Sequence, residues 1–336
     1  IRDVLGSRGL GDGYKRQVTA ALAITSCSQN EEFENVGQNA EISFGTIVRN
    51  STRANILTTD NMQTFTVSGY QTDAEMAEGT KLTTGFIDEL KVEKKDAKWV
   101  YEGDTFYWPY SGKVQFFGTS PAQSLNINVA GYPTFDYTIK DVSAQEDLVA
   151  ANLINKDKTS GELILPFQHL LTQVNFSIKG DTPGFTYTVT SIVLTDLQDK
   201  ATFKFDGTNA VGAWQGATTS SANIKYEHTG SFTVIPETDK EVVTNLEAVG
   251  KALFMLMPQE ASSVKLAITY TAVKGTQKGF SGTKNVTLAG TWTMGHSIRY
   301  ILKLTSDTTP VTFGQPTSGE WIPESPQPGE IPTPAN

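Results

Sequence analysis

From Glu41 onward, the chain consists of short runs in which β-branched or aromatic residues alternate with polar ones. Successive side chains of a β-strand point to opposite faces, so this alternation predicts half-buried strands. Gly, Asn, Asp and Pro separate the runs, which is typical of turns. The clearest runs are 42–44, 65–69, 99–101, 114–116, 174–178, 187–189, 192–194, 203–205, 232–234, 264–270 and 298–304. The pattern predicts an all-β protein.

Helical periodicity is scarce along the same stretch. The best candidates are 73–78, 146–155 and one turn at 167–171. Since none is long enough to organise an α/β fold, the many short strands instead predict antiparallel sheets packed in pairs as β-sandwiches.

The length of 336 residues predicts two domains of typical size. A polar stretch that ends in Gly161 places their boundary near residue 160, so we expect one β-sandwich at 41–160 and a second at 161–306. Residues 307–336 are rich in proline, which disfavours a central strand. We expect this tail to be mobile or held by another surface.

A short apolar run precedes the single cysteine of the chain. Lys15 and Arg16 are followed by the run at 18–26, which ends in Ile24-Thr25-Ser26 before Cys27. This order is typical of an export signal, and its end resembles a lipobox, in which the cysteine is acylated and becomes the new N-terminus. The run is too short to span a bilayer. We therefore predict lipidation of Cys27, with palmitate among the acyl chains, rather than a free cysteine in a disordered leader.

The lipobox divides the N-terminal region into two parts. Residues 1–26 are predicted to be a signal peptide or leader, and 27–40 a polar tether. Within the leader, 9–17 resembles translated sequencing-adaptor sequence, so 1–17 is left out of the fold prediction.

Charge and motifs argue against several classes of function. The net charge of −9 and a pI near 5.0 disfavour nucleic-acid binding, which needs clustered Lys and Arg. The three histidines have no zinc-ligand spacing, and no phosphate-binding loop or nucleophile elbow is present. His169 is predicted to be buried or half-buried with a backbone partner rather than to act as a catalytic base. We therefore predict no catalytic residue, no metal site and no cofactor, and we do not expect an enzyme.

Aromatic residues leave a second class of function open. Trp99, Trp108, Tyr110 and Trp214 could stack on sugar rings, although most lie in alternating runs that favour the core. Trp321 lies in the proline-rich tail without a local core and needs a partner surface to be buried.

Several motifs occur in an order that identifies a family. They are Cys27, Ile42-Ser43-Phe44, Thr52-Arg53-Ala54, Tyr107-Trp108-Pro109, Val114-Gln115-Phe116-Phe117, Gln145-Glu146-Asp147-Leu148, Phe167-Gln168-His169-Leu170-Leu171, Phe254-Met255-Leu256-Met257-Pro258 and Gly295-His296-Ser297-Ile298-Arg299-Tyr300. From about Cys27 to Leu304 this order resembles fimbrillin-like (Mfa-like) proteins.

The resemblance implies a type V pilus component of anaerobic Gram-negative bacteria with two transthyretin-like β-sandwich domains. In that family a lipidated precursor reaches the outer membrane, a trypsin-like protease cuts after a basic residue, and loss of the first strand opens a groove. A strand of another subunit then fills the groove.

Carried over to this sequence, the candidate first strand is 41–48. The candidate cut follows Arg53, with Arg49 as second choice. The candidate donor is the tail, with Val311-Thr312-Phe313 and Trp321-Ile322 as anchoring side chains. The expected partners are other pilus subunits and, through Cys27, the outer membrane. The sequence does not identify the host or bacterial surface ligand.

Two other functions stay open from the residues alone. One is a surface glycan-binding lipoprotein without polymerisation, and the other a hydrolase whose carboxylates meet only in the folded chain. Within the family reading, Arg53 stays uncut if the protein is an anchor or tip subunit.

Overall fold

The computed structural model describes residues 40–48, 57–83, 85–207, 211–221, 225–248 and 253–320. The strands of the first half are β1 (Phe44–Val48), β2 (Thr64–Thr72), β3 (Ile87–Lys95), β4 (Lys98–Tyr101), β5 (Lys113–Ser120), β6 (Thr134–Thr138), β7 (Val149–Lys156) and β8 (Leu163–His169). Those that follow are β9 (Thr172–Gly180), β10 (Thr186–Thr195), β11 (Lys200–Phe205), β12 (Gly212–Thr218), β13 (Lys225–Val234), β14 (Thr244–Asn245), β15 (Phe254–Leu256), β16 (Gln259–Glu260), β17 (Lys265–Lys274), β18 (Gln277–Thr287), β19 (Thr291–Trp292), β20 (His296–Leu304), β21 (Thr312–Phe313) and β22 (Thr317–Glu320). The prediction of an all-β protein is confirmed.

The strands form a large N-terminal sheet and several smaller ones. The seven-stranded N-terminal sheet has the order β1-β8-β7-β5-β2-β3-β4. A second sheet has the order β13-β10-β17-β18, a third the order β12-β11-β6, and β16 pairs with β19. The C-terminal sheet has the order β14-β9-β20-β21, with β15 also paired to β9 and β22 to β20.

Pairing is antiparallel throughout the described strands except at two places. β1 runs parallel to β8, and β20 runs parallel to β9. β8 and β9 follow one another with only Leu170 and Leu171 between them, so the N-terminal sheet leads directly into the C-terminal one.

Two apolar cores occupy the described part of the chain. The first lies within the N-terminal sheet, which curves until its end strands β1 and β4 contact each other, and Phe65, Phe116 and Phe167 are buried there. The second lies on the opposite face of the same sheet, where Phe117 packs against Phe205 of β11 at 5.0 Å between ring centroids. Alternation in β5 thus sends neighbouring phenylalanines into different cores.

The predicted boundary near residue 160 falls in the turn between β7 and β8, and both strands belong to the N-terminal sheet. β6, from the first half, pairs with β11 from the second. The second core also contains residues of both halves. The division into two domains stays a prediction.

The helical candidates of the sequence are wrong. Most of 146–155 forms β7, and 167–171 contains the end of β8. Residues 73–78 contain no helix. In the described residues, the helices are single 3-10 turns at Val142–Ala144 and Ala261–Ser263.

The first part of the tail is held by the chain itself rather than by another surface. β21 and β22 pair with β20, and Val311 is buried in the second core. The ring of Phe313 lies 5.5 Å from that of Tyr300. The prolines fit this arrangement, because Pro310 precedes β21 and Pro316 separates it from β22.

Candidate functional site

The segment 40–48, which contains β1, closes the first core by bonding to different parts of the chain on its two edges. On one edge β1 pairs with β8, from Phe44 opposite Leu163 to Val48 opposite Phe167. On the other edge the N–H of Ile42 donates to the carbonyl of Phe106 at 2.9 Å, and Ala40 accepts from Trp108 at 3.0 Å. The segment therefore lies between β8 and the stretch 106–108 that follows β4.

The side chains of this segment alternate as the sequence predicts. Ile42, Phe44 and Val48 point into the first core and are buried. Ile47 points outward, with 53% of its surface exposed. Full burial of an aliphatic or aromatic side chain contributes about 1.5–3 kcal/mol, so the three inward residues together contribute roughly 5–9 kcal/mol.

Aromatic rings line the cavity that Phe44 fills. Its ring lies 5.8 Å from that of Phe116, 6.2 Å from Tyr101 and 6.5 Å from Phe65, each in an edge-on arrangement. Burial raises the pKa of Tyr101 above its ordinary value, so this phenol keeps its proton and donates to the carbonyl of Ile42 at 3.2 Å. Without the 40–48 segment, this apolar surface would face solvent.

Gly45 of β1 faces the side chain of Ile164 on β8. A Cβ atom on Gly45 would lie 2.6 Å from Cδ1 of Ile164, so a larger residue here would require that exposed side chain to change its rotamer.

Hydrogen bonds hold the described residues on either side of the undescribed stretch 49–56. The N–H of Val48 donates to Oγ1 of Thr59 at 2.9 Å, and this hydroxyl donates back to the carbonyl of Val48 at 3.2 Å. The N–H of Leu57 donates to Oδ2 of Asp147 at 2.8 Å. Val48 and Leu57 are thus both held near the end of β8, Val48 opposite Phe167 and Leu57 through Asp147, which contacts His169. Arg49 and Arg53 lie in that segment, outside the described residues.

The sequence predictions for other residues have mixed outcomes. Cys27 and Trp321 lie outside the described residues. His169 is buried as predicted, but its Nδ1 lies 2.8 Å from Oδ2 of Asp147, so the partner of this nitrogen is a side chain rather than a backbone group. Asp147 lies in one of the family motifs, but sequence reasoning assigned it no role, because nothing in its local pattern indicates the contact with Leu57.

Three of the four aromatic residues considered for sugar stacking pack inside the protein. Trp108 is buried, Trp99 lies 5.0 Å from Phe65, and Nε1 of Trp214 donates to the carbonyl of Leu170 at 2.7 Å. Tyr110 differs, since 88% of its surface is exposed. Nζ of Lys158 lies 5.7 Å from the centre of its ring.

The described part of the chain contains neither a cluster of metal ligands nor a membrane-spanning helix. No group of three or more His, Cys, Asp or Glu side chains is placed to hold a metal ion there. Nor does any described helix have the length and apolar character to cross a membrane.

A family model described as fimbrillin-like matches residues 52–321. The chain belongs to the fimbrillin-like family. The resemblance drawn from the sequence motifs is thereby confirmed. No curated protein gives a significant match.

Solved structures share the fold of this fimbrillin-like chain. A fimbrial protein from Bacteroides vulgatus is similar with a TM-score of 0.62 and 19% identity, covering 83% of this chain and 99% of that one. A candidate cell adhesion protein from Bacteroides uniformis has a TM-score of 0.50 and 15% identity, covering 84% of this chain and 100% of its own. Another, from Bacteroides ovatus, has a TM-score of 0.50 and 16% identity, covering 86% and 100%. At these identities the likeness shows the fold.

Proposed function

We propose that the chain is a structural and adhesive pilus subunit, or a pilus-associated lipoprotein, that assembles by strand exchange. A cut after Arg53, or else after Arg49, would separate the 40–48 segment from the rest of the chain. The observation that carries the proposal is that this segment closes the first core and is followed directly by both arginines. The names of the similar structures, one fimbrial and two concerned with cell adhesion, support the same class of function.

The free energies of burial and of association explain why a cut would allow another strand to replace β1. While the chain is continuous, the roughly 5–9 kcal/mol from burying Ile42, Phe44 and Val48 stabilises the fold without a cost of association. After a cut the same segment is a bound peptide, and association costs an estimated 4–15 kcal/mol at a 1 M standard state. The two terms are of similar size, so the cut segment can dissociate and a better strand can replace it.

An incoming strand would find both backbone and side-chain partners. Loss of β1 leaves the N–H of Leu163, which now donates to the carbonyl of Ser43 at 3.0 Å, without its acceptor. It also uncovers the rings of Phe65 and Phe116. Exposed strand edges with an apolar groove are sites of strand addition, in which the backbone supplies affinity and side-chain pockets supply specificity.

The donor is proposed to be the C-terminal tail of another subunit. In this chain β21 and β22 are paired with β20, and Val311 and Phe313 pack in their own subunit. The tail of this chain therefore offers two donors for a neighbour. One is the segment 321–336, and the other is β21 and β22 after they leave β20.

Lipidation of Cys27 would hold the uncut protein at the outer membrane. Acyl chains contribute about 0.8 kcal/mol per buried CH₂ group, so several chains anchor a protein firmly. A cut after Arg53 would leave the anchor on the released segment, whereas an uncut subunit would stay at the membrane. Mass analysis of the membrane fraction tests the anchor, and an unmodified Cys27 there contradicts it.

Trace trypsin acting on residues 28–336 tests cleavage and exchange together. We expect a new N-terminus at Ala54 and a ladder of multimers in SDS without boiling. Arg53→Gln should remove this terminus, and Arg53→Gln with Arg49→Gln should remove the ladder. Lys98→Gln, an exposed basic position on β4, is the control and should change neither. A monomeric product with a complete N-terminus contradicts the proposal.

A glycan-binding lipoprotein is the second candidate function, and the exposure of Tyr110 favours it. An exposed ring with a lysine above it offers one face for stacking and a cation for hydroxyl groups. In this case polysaccharide in a native gel should retard the protein, and Tyr110→Ala should remove the retardation. Equal mobility with and without polysaccharide argues against this function.

A further inference from the structure

Asp147 links the residues that follow the candidate cut site to β8, the strand with which β1 pairs. Its side chain is 1% exposed and that of His169, the last residue of β8, is 3% exposed. Oδ2 of Asp147 accepts the N–H of Leu57 at 2.8 Å and lies 2.8 Å from Nδ1 of His169. Leu57 is the first described residue after the segment that contains Arg53.

Leu57 begins a compact turn at 57–62 that leads into β2. The N–H of Thr58 donates to Oδ1 of Asn61 at 2.6 Å, and the N–H of Asn61 donates to Oγ1 of Thr58 at 3.0 Å. Met62 donates to the carbonyl of Thr58 at 2.9 Å, and its side chain is fully buried in the first core. The turn therefore holds one wall of the groove that β1 fills.

β1 itself makes two of the hydrogen bonds that hold the 57–62 turn in place. The two hydrogen bonds between Val48 and the hydroxyl of Thr59 disappear when β1 leaves. The bond from Leu57 to Asp147 does not involve β1 and can remain. Breaking it would deprive a fully buried carboxylate of one of its donors, which is far more costly than losing an exposed hydrogen bond.

We propose that the hydrogen bond from Leu57 to Asp147 limits the structural change when β1 is released, so that the chain from Leu57 onward keeps its position. By holding the N–H of Leu57, Asp147 keeps the 57–62 turn in place, so that the groove opens while β2 stays paired with β3 and β5. Asp147 is thus a positioning residue for the groove that remains after β1 is released. This inference rests on the proposed function, because it assigns Asp147 a role after β1 has left.

Amide hydrogen exchange tests the inference in a chain whose cut does not depend on Arg53. Residues 51–56 are replaced by the recognition sequence of an unrelated, specific protease, and exchange is measured before the cut and after removal of the N-terminal fragment. The variants are Asp147→Asn, which keeps the shape of the side chain, and Asp147→Ala. The control is Asp136→Asn, which removes the same charge from an exposed β6 residue whose carboxylate accepts from Thr202 at 2.5 Å.

In the uncut chain, Asp147→Asn should speed exchange of the Leu57 amide by roughly 10- to 100-fold, because the amide loses a charge-assisted hydrogen bond. In the cut chain the faster exchange should spread to Met62 and the first residues of β2. The Asp136→Asn control should keep those amides protected in both forms. If Asp147→Ala does not fold, Asp147→Asn decides alone.

Two results would overturn the inference. One is an unchanged Leu57 amide in uncut Asp147→Asn, and the other is equal protection of Met62 and β2 in the cut Asp147→Asn and Asp136→Asn chains. Failure of trypsin to cut at Arg53 would count against the proposed function, but it leaves both arms of this experiment intact.

Discussion

Phe44 joins three other strands through its ring, which contacts Phe65 of β2, Tyr101 of β4 and Phe116 of β5. The alternation of apolar residues at 42–44 predicts that Ile42 and Phe44 face inward, because side chains two residues apart share a face. The sequence could not predict which rings they meet, since those partners come from distant strands. The contact between Asp147 and His169, 22 residues apart, escapes sequence reasoning for the same reason.

Phe44→Ala should lower the free energy of unfolding of the uncut protein by about 3–5 kcal/mol, because it leaves a cavity between three aromatic rings. Ile47→Ala, on the outward face of the same strand, is the matched control and should change stability by no more than about 0.5 kcal/mol. Urea unfolding followed by tryptophan fluorescence gives both values. Equal, small effects of the two substitutions would mean that β1 does not close the core.

At the scale of elements, the alternating pattern predicted most strands, and its failures have physical causes. The sequence predicts a helix where β7 lies, because Val149, Ala150 and Ala151 are all apolar and a strand segment buried on both faces does not alternate. The parallel pairing of β1 with β8 joins residues far apart in the sequence, so no local pattern specifies it. The prolines of the tail predict a mobile segment or one held elsewhere, yet Pro310 lies before β21 and Pro316 lies between β21 and β22, so neither interrupts a strand. The other five prolines lie outside the described residues.

Two truncations separate the structural role of the tail from a role as donor. Deleting 321–336 should leave the free energy of unfolding almost unchanged, since β21 and β22 remain on β20. Deleting 311–336 should lower it by about 3 kcal/mol, because Val311 and Phe313 leave the second core. Urea unfolding measures both. A 311–336 deletion as stable as the full chain would contradict the packing described here.

Loss of polymers in the 321–336 deletion, with stability kept, would assign the donor to that segment. Polymers that survive this deletion would assign the donor to β21 and β22.

At the scale of the whole molecule, the two ends of the described chain lie in different cores. β1 closes the first core, while Val311 and the strands of the tail complete the second. Under the proposed function, release of β1 would open a groove in the first core, and the tail of one subunit would enter the groove of the next in head-to-tail assembly. Sequence patterns indicate both ends as candidates, but only the fold shows that the 40–48 segment is hydrogen-bonded on both edges, through β1 to β8 and through Ala40 and Ile42 to Trp108 and Phe106.

The most direct test of the account is competition between a β1 peptide and polymerisation. Residues 28–336 are cut with trace trypsin in the presence of a peptide of residues 40–48, and the products are run unboiled in SDS. We expect the peptide to bind the cut protein and suppress the ladder of multimers, while the same peptide with Phe44→Ala does not. A ladder that forms equally with either peptide would contradict the claim that β1 occupies the groove through which subunits assemble.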